Sequence, residues 1–338
     1  MIPMNRYRLS HVTNFSYDGP VSESYNELRL RPRHDESQSC LSFRITTIPH
    51  SRPAAHLDYF DNWVHQFHIL PEHRELKVES EAVVLVHPQQ PWASRPFSLQ
   101  ELDEARDTLW DDHFDWLSTT QYCPILPELQ ELIQTAESRC DGTTRGFAEA
   151  ASALVHAEFK YQPGATHVHS SVRDCLTTRA GVCQDFSHLL LSMLRQRGIP
   201  GRYVSGYLIT NRGLNGDPVA AQVNESMTDA QATIERVIGG EASHAWVQAY
   251  IPETGWIGLD PTAGEFAESR HILVARGRDY GDVPPVRGVY KGHAGQSLSV
   301  DVLVRPALDD DGTEILQETA AVPEVRQAEE MQSQQQQQ

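Results

Sequence analysis

Cysteine is scarce in this sequence of 338 residues, and its five cysteines follow no recognisable spacing. They are odd in number, lie far apart along the chain and include no C-x-x-C pair. A disulfide framework and a zinc knuckle are therefore both disfavoured. The five positions are Cys40, Cys123, Cys140, Cys175 and Cys183.

Basic residues and long apolar runs are also in short supply. Twenty-eight lysines and arginines stand against 46 aspartates and glutamates, which gives a formal net charge of −18. A surface of that sign repels phosphate backbones, so nucleic acid is not an expected partner. Residues Met1 to Tyr7 contain no apolar run long enough for a signal peptide, and no stretch approaches the ~20 apolar residues of a membrane span. We therefore expect a cytoplasmic protein without a membrane partner.

Residues 1–88 show short alternating strands separated by turn residues. Strands at this spacing without helices between them predict an antiparallel β-sandwich domain. His65 and His68 lie three apart on one strand and hence on opposite faces, which argues against a metal held by both. The expected strands are Tyr7–Thr13, Glu27–Arg31, Ser42–Ile48, Trp63–Leu70 and Leu76–Val86.

A proline-rich linker over residues 89–97 separates this domain from a predicted catalytic domain over residues 98–305. Strands are expected in this second domain from Arg202 onward, after a helical part, so it should be an α+β domain with helices packed on an antiparallel sheet. Residues 306–338 are acidic and Gln-rich, and we expect them to be disordered. The predicted helices are Ser98–Leu117, Glu128–Ser138 and Phe147–Phe159.

A helix with a cysteine at its head follows at Cys183. Apolar residues at positions 186, 189, 190, 193 and 194 form the stripe of a helix that buries one face, and Gly198 with Pro200 ends it. Residues 177–181 are loop-like, so the sulfur should lie in the first turn. Unpaired backbone amides and the positive end of the helix dipole favour a thiolate there. We expect Asp185 to compensate the same amide dipoles.

A predicted β-hairpin offers a base and an acid for this thiol. Turn residues 252–255 follow a first strand that begins at His244, and a second short strand ends at Asp260. Because side chains alternate along a strand, the first strand presents two different faces. Ala245, Val247, Ala249 and Ile251 form one face, and His244, Trp246, Gln248 and Tyr250 form the other.

The register of this hairpin decides whether the base and the acid can meet. One register places His244 directly opposite Asp260, whereas the other pairs Asp260 with Val247 and turns the carboxylate to the wrong face. A Cys–His–Asp site therefore requires the first register, or a bulge that restores it.

These segments resemble those of bacterial transglutaminase-like proteins, a branch of the papain-like cysteine enzymes. The opening segments around residues 7–13 and 28–32 are similar to the β-sandwich that often precedes the catalytic core in bacterial members, and residues 271–290 are similar to the segment that closes that core. The resemblance covers roughly residues 5–305. Its core motifs are Gly181–Phe186, Arg202–Tyr207, His244–Trp246, Gly255–Trp256 and Asp260–Thr262.

The resemblance implies that Cys183 is the nucleophile, His244 the base and Asp260 the acid that orients the base. The implied reaction is acyl transfer through a thioester on an amide of a peptide or protein substrate, with the backbone amide of Cys183 as a candidate oxyanion donor. No cofactor and no metal are expected. Discharge of the thioester by water would define a peptidase or amidase, whereas discharge by an amine would define an acyltransferase, and the sequence leaves both open.

Other interpretations of the same residues also stay open. An isolated cysteine is most often a core residue, so Cys183 could belong to a catalytically silent fold that serves as an interaction module. In a third hypothesis, the sandwich and the acidic tail bind a peptide. Trp246 and Trp256 can be core aromatics or can wall the cleft and exclude water.

Two further metal hypotheses are disfavoured by the number and spacing of their ligands. His167 and His169, with Cys175 nearby, provide fewer ligands than zinc requires. The carboxylates of the Asn- and Gly-rich segment between Asn211 and Gly240 lack the spacing of a calcium loop. We expect that segment to be a surface excursion near the cleft.

Overall fold

The computed structural model describes residues 5–87, 95–165, 170–209 and 243–307. The segment between Asn211 and Gly240, the pair His167 and His169, most of the predicted linker and nearly all of the predicted tail lie outside the described residues. Within them, no helix has both the length and the apolar character that a membrane span needs.

Seven strands form the first β-structure, and the long strand β1 belongs to both of its halves. Residues 5–16 of β1 pair with β5 and β14, and residues 22–28 pair with β4 and β13. Apolar side chains from both halves, such as Leu28, Phe67 and Val78, form one buried cluster, as in a sandwich. The strands are β1 Asn5–Leu28, β2 Gln38–Ile48, β3 Ala54–Leu57, β4 Trp63–Ile69, β5 His73–Val86, β13 Val286–Lys291 and β14 Gln296–Pro306.

The predicted sandwich is confirmed, but two details of its strands differ from the prediction. The predicted strands at Tyr7 and Glu27 are parts of one strand, because the turn signal around Gly19 shifts the register of β1 without ending it. β13 and β14 were expected within the catalytic range 98–305, yet both pair with β1. Alternation identifies a strand, whereas its partner depends on contacts distant in sequence.

In the described part of the chain, seven α-helices precede the first strand of the second sheet. The single helix predicted from Ser98 to Leu117 is wrong: non-helical dihedral angles at Ala105 and His113 divide it into three. Its apolar stripe breaks there, because Phe114 is five residues after Leu109 and its side chain is exposed. The helices are α1 Leu99–Glu104, α2 Arg106–Asp112, α3 Phe114–Leu117, α4 Gln130–Arg139, α5 Thr144–Glu158, α6 Val172–Thr178 and α7 Cys183–Arg197, with 3-10 turns at Pro127–Leu129 and Tyr280–Asp282.

The second sheet has the strand order β11-β10-β9-β8-β12 and is antiparallel throughout. α7 packs on one face of it, where Leu190 and Met193 share a buried cluster with Val247 and Ala249. This arrangement confirms the predicted α+β core. The strands are β8 Gly201–Leu208, β9 His244–Ile251, β10 Gly255–Asp260, β11 Glu265–Phe266 and β12 His271–Gly277, and a separate parallel pair consists of β6 Lys160–Tyr161 and β7 Ala180–Gly181.

Both ends of α7 are held by polar contacts. At its C-terminal end, Gly198 adopts the left-handed conformation and closes the helix. The buried Arg195 guanidinium donates hydrogen bonds to the carbonyls of Trp116, Ser118, Gly201 and Arg278. These bonds tie the C-terminal end of the helix to α3 and to the start of β8.

The hydrophobic core continues across the predicted domain boundary. Leu9, Val84 and Val86 of the first β-structure belong to the same buried cluster as Leu102 and Leu126. The boundaries at residues 88 and 98 therefore stay a prediction, since the described residues up to Pro306 form one compact unit.

Candidate active site

Cys183 is the first residue of α7, as the sequence predicts. The preceding residue, Val182, is extended, and its backbone N–H donates to Oδ2 of Asp185 at 2.8 Å. The carboxylate thus caps one of the unpaired amides of the first turn, in agreement with the role expected for Asp185. Gly181 makes this possible, because a Cβ at that position would lie 2.8 Å from the Asp185 side chain.

The loop that leads to Cys183 is fixed by the β6–β7 pair. Gln162 N–H donates to the carbonyl of Gly181 at 2.9 Å, and Tyr161 pairs with the same residue. Between β6 and β7 lies α6, a helix absent from the sequence prediction, which ends at Arg179 in the left-handed conformation. Backbone hydrogen bonds therefore hold the segment that precedes Cys183 in place.

The β9–β10 hairpin adopts neither of the two registers considered from the sequence. Ile251 pairs with Gly255, and Val247 pairs with Leu259, so the register differs from the favoured one by two positions. A shift by an even number preserves the face of every side chain. His244 and Asp260 therefore meet without a bulge.

The bond between these two side chains is short and buried. Nε2 of His244 lies 2.7 Å from Oδ2 of Asp260, and both side chains are fully enclosed. The other carboxylate oxygen, Oδ1, accepts from the backbone N–H groups of Thr262 at 2.9 Å and Ala263 at 3.1 Å. Hydrogen bonds therefore hold both carboxylate oxygens of Asp260, and Oδ2 faces the imidazole of His244.

A second imidazole, which sequence reasoning missed as a site residue, contacts the same carboxylate. Nε2 of His271, the first residue of β12, lies 3.0 Å from Oδ2 of Asp260. The spacing of residues in the sequence gives no sign of this contact, because β12 pairs with β8 and not with β10. The ligand atoms of His244, Asp260 and His271 lie within 4.8 Å of one another, a grouping that could hold a metal ion. The two imidazole contacts already satisfy the carboxylate as hydrogen bonds.

The charges of the pair follow from these contacts. Burial alone would lower the pKa of His244, but Asp260 and, after it, Cys183 outweigh burial and raise that pKa to about 10. Burial would raise the pKa of Asp260, whereas His244 and His271 hold it well below its usual range. Each side chain of the pair therefore favours the charged form of the other.

Cys183 lies close enough to His244 for its charge to help raise the pKa of the imidazole. Because Asp260 engages Nε2, Nδ1 is the nitrogen left for the sulfur, and Nδ1 is buried without a hydrogen-bond partner among the described residues. A hydrogen bond between the thiol and Nδ1 therefore stays a prediction, and catalytic contacts of this kind commonly tighten when a substrate binds.

Two tyrosines lie close enough to Cys183 to respond to its charge. Burial, followed by the negative charge of Cys183, raises the pKa of both Tyr161 and Tyr203. Both side chains therefore remain neutral phenols. Cys183 itself is half-buried, whereas His244 is buried, so the sulfur is the accessible member of the group.

Trp246 and Trp256, for which the sequence allows either a core role or a place in the cleft wall, occupy different surroundings. Trp246 is buried and stacks near His244, with 6.1 Å between ring centroids and 29° between ring planes. Trp256 instead contacts Tyr250 and the guanidinium of Arg202. Trp246 thus adjoins the imidazole, and Trp256 lies toward the turn end of the hairpin.

The positions of His65 and His68 on β4 support the argument against a metal held by both. His65 is buried and His68 is exposed, so the two side chains point to opposite faces of β4. Cys175, the described member of the other group, is buried in α6.

Two parts of the chain match known protein families. Residues 7–85 match the bacterial transglutaminase-like N-terminal region, and residues 131–261 match the transglutaminase-like superfamily. Cys183, His244 and Asp260 all lie within the second match.

Similar proteins extend over most of the chain. An uncharacterized protein of Mycobacterium leprae is 36% identical over 300 residues, which cover 88% of this chain and 98% of the relative. An uncharacterized protein of Mycobacterium tuberculosis is 33% identical over 314 residues, which cover 88% of this chain and 93% of that protein. A protein-glutamine gamma-glutamyltransferase of Pseudomonas aeruginosa is 31% identical over 109 residues, or 32% of this chain and 14% of that protein.

A solved structure shares the fold. The crystal structure of a candidate cysteine protease from Cytophaga hutchinsonii superposes with a TM-score of 0.62 at 19% identity. The superposition covers 88% of this chain and 90% of the other, so the two architectures agree over nearly their whole lengths.

Proposed function

The chain belongs to the transglutaminase-like superfamily, and from this we propose that it is a cysteine enzyme that acts on amide bonds of peptides or proteins through a thioester on Cys183. One observation carries the proposal: the buried 2.7 Å contact between His244 and Asp260, with a helix-terminal cysteine acting on the same imidazole. A histidine with a purely structural role would not require both a buried carboxylate and a helix-terminal cysteine near its ring.

The first step is activation of the thiol. His244 takes the proton of Cys183, and Asp260 fixes the imidazole tautomer and stabilises its positive form. The raised pKa of His244 supports this step, because the imidazole holds a proton strongly at neutral pH. The thiolate is stabilised in turn by the imidazolium and by the N-terminal end of α7.

The thiolate then attacks the carbonyl carbon of the substrate amide. The backbone N–H of Cys183 is one of the first amides of α7, which have no partner inside the helix, and we propose that it donates to the oxyanion. His244 returns the proton to the departing nitrogen, which leaves as ammonia or an amine. Trp246, stacked near His244, would shield this exchange from water.

The acceptor then defines the reaction. Water releases an acid and makes the protein a peptidase or amidase, whereas an amine forms a new amide and makes it an acyltransferase. Water and an amine would attack the same thioester, and His244 can remove a proton from either one. The cytoplasmic location and the exclusion of nucleic acid and membrane partners stay predictions.

Mass spectrometry of reaction products tests the proposal. The full chain is incubated with a library of glutamine-containing peptides, with and without a primary amine, and compared with Cys183→Ala and with Cys140→Ala, which removes another half-buried thiol. We expect loss of ammonia, hydrolysis or amine addition with the wild type and with Cys140→Ala, and none with Cys183→Ala. Equal products from Cys183→Ala would overturn the proposal, and no products from any variant would favour a catalytically silent interaction module.

A further inference from the structure

A cavity of about 500 Å³ lies over the face of the second sheet that carries Trp246. α7 packs on the opposite face, whereas His244 and Asp260 lie on the same face as Trp246, so the cavity adjoins this buried pair. Its floor is formed by β8, β9, β10 and β12, and its cover includes the segment from Asp35 to Ser37 after β1. The polar residues on its floor are Arg202, Gln248, His271 and Arg276.

Arg202 makes cation–π contacts but no ion pair within the described residues. Its guanidinium carbon lies 3.4 Å from the ring centroid of Trp256 and 4.9 Å from that of Trp116. Its Nε atom is buried without a hydrogen-bond partner, and no carboxylate in the described part of the chain forms an ion pair with it. A guanidinium stacked in this way is held in place while its other nitrogen atoms stay free to bind a planar anion.

Neighbouring arginines further destabilise the positive charge of Arg202, which has no ion pair within the described residues. Burial, and after it the positive charges of Arg276 and Arg33, lower the pKa of Arg202 to about 9, and the nearby carboxylate of Asp35 does not offset them. The Arg33 guanidinium already donates to the carbonyls of Phe60 and Asp61. The cationic group at the cavity is therefore undercompensated within the described residues.

Two more polar atoms around the cavity are buried and lack partners. They are Oε1 of Gln248 and Nδ1 of His271. Buried polar atoms are nearly always satisfied in folded proteins, and a polar ligand in this cavity would satisfy these atoms. Gln248 is paired directly with Arg202 across β8 and β9, which places both groups over the same part of the floor.

We propose that this cavity binds a carboxylate, with Arg202 and Arg276 as its principal cationic contacts. The planar guanidinium fork matches a carboxylate in shape, and Trp256, Trp246 and Leu273 provide apolar surface for the rest of the ligand. The acidic residues Asp35, Glu36 and Glu268 at the edge would disfavour the second charge of a phosphate.

The site is linked to the thiol side through His271. Its Nε2 contacts Asp260, and the same residue lines the cavity. The carboxylate can come from the C terminus of a peptide substrate or from a separate small molecule. The inference does not depend on catalysis by Cys183, because it concerns binding alone.

Calorimetric titration of the full-length Cys183→Ala variant, which cannot turn over its ligand, tests the proposal. The probes are N-acetylated alanyl-phenylalanine as the free acid, the same dipeptide as its C-terminal amide, sodium acetate and inorganic phosphate. We expect the free acid to bind roughly 10-fold or more tightly than the amide, since a charge-assisted pair is lost in the amide. Arg202→Gln should abolish that difference, and Arg202→Lys, which keeps the charge but not the fork, should reduce it.

Arg44→Gln is the matched control, because Arg44 is an exposed arginine of the first sheet that pairs with Glu81. It should leave the difference between acid and amide unchanged, and Arg276→Gln should reduce that difference if Arg202→Gln proves unstable in thermal unfolding. Competition by acetate against the dipeptide acid would support a small carboxylate as the source, and lack of competition would support a peptide C terminus. Equal affinity for acid and amide, no effect of either arginine variant, or tighter binding of phosphate would overturn the proposal.

Discussion

Nε2 of His271 lies 3.0 Å from Oδ2 of Asp260, the same oxygen that accepts from His244. With the two backbone donors on Oδ1, this contact leaves the buried carboxylate little freedom to rotate. In the proposed reaction His271 acts on Asp260 and not directly on the reacting thiol or amide. We therefore interpret it as a positioning residue that acts through Asp260.

The first prediction concerns this contact. His271→Leu should lower kcat by roughly 10-fold with little change in KM, because a hydrogen bond to a charged group is lost from the proposed acid and not from the substrate site. It should also move the acid limb of the kcat profile to higher pH, since the His271 bond lowers the pKa of Asp260. His271→Gln, whose amide can donate, should restore most of kcat. A uniform loss in both variants with an unchanged pH profile would contradict the positioning role.

Asp260→Asn tests the charge of the pair. Burial remains in this variant while the carboxylate is lost, so the pKa of His244 should fall from about 10 to below its ordinary value. Because the neutral imidazole can then take the wrong tautomer, kcat should fall by about 10³-fold or more. Titration of labelled histidine by NMR measures the first effect. Asp141→Asn, which alters an exposed carboxylate near α5, should change neither quantity, and a His244 pKa still near 10 in Asp260→Asn would refute the assignment.

Acid stability should depend on His188, a buried histidine of α7. Its Nε2 accepts from the backbone N–H of Tyr280 at 3.2 Å, and burial, followed by the charge of Arg195, lowers its pKa to about 3. Below about pH 6.5, His188 therefore binds a proton in the unfolded chain but not in the folded chain. The free energy of unfolding falls as the pH drops through that range. Between pH 7 and pH 5, His188→Gln should reduce this fall by about 2 kcal/mol.

Urea denaturation at the two pH values measures the effect of His188→Gln. Glutamine can still accept from Tyr280, so the variant should fold. His56→Gln, at an exposed position of the first β-structure, is the control and should leave the pH dependence as it is in the wild type. A fall in His188→Gln equal to that of the wild type would show that this histidine does not govern acid stability.

Gly206 sets the close approach of β8 to the Trp246 ring. A Cβ at this position would lie 2.1 Å from the carbonyl oxygen of Ile272 and 2.5 Å from the indole. Gly206→Ala should therefore destabilise the protein by about 1–3 kcal/mol and lower kcat, because a displaced Trp246 presses on His244. Gly19→Ala, where a Cβ would only reach ordinary contact with Ala294, is the control in the same denaturation experiment. Equal stability of the two variants would contradict the packing argument.

The sequence predicted the helix and the strand that carry the candidate residues, but not the register of the hairpin. Position at the head of a helix and alternation along a strand identified Cys183 and His244, because both signals are local. The register could not be read, since a three-residue turn places Gly255 opposite Ile251 and no local rule selects it. The carboxylate reached the correct face because the observed and favoured registers differ by an even number of positions.

Long-range contacts account for what the sequence did not reveal. His271 approaches Asp260 only through the packing of β12 on β8, and the pairing of β13 and β14 with β1 joins residues almost 300 positions apart, such as Tyr7 and Pro306. The broken helix between Ser98 and Leu117 had a visible sign, the irregular spacing before Phe114, although the overall stripe suggested one helix. Periodicity reports the local conformation but not the partner.

The central claim is that the buried pair of His244 and Asp260 makes Cys183 an activated nucleophile. Its most direct measurement is the rate of alkylation of each cysteine by iodoacetamide at neutral pH, followed by peptide mapping in the wild type and in His244→Asn. We predict that Cys183 reacts roughly 10-fold or more faster than Cys140, a half-buried thiol without an imidazole partner among the described contacts, and that His244→Asn removes this advantage. A Cys183 that reacts no faster than Cys140, or equally fast with and without His244, would contradict the account.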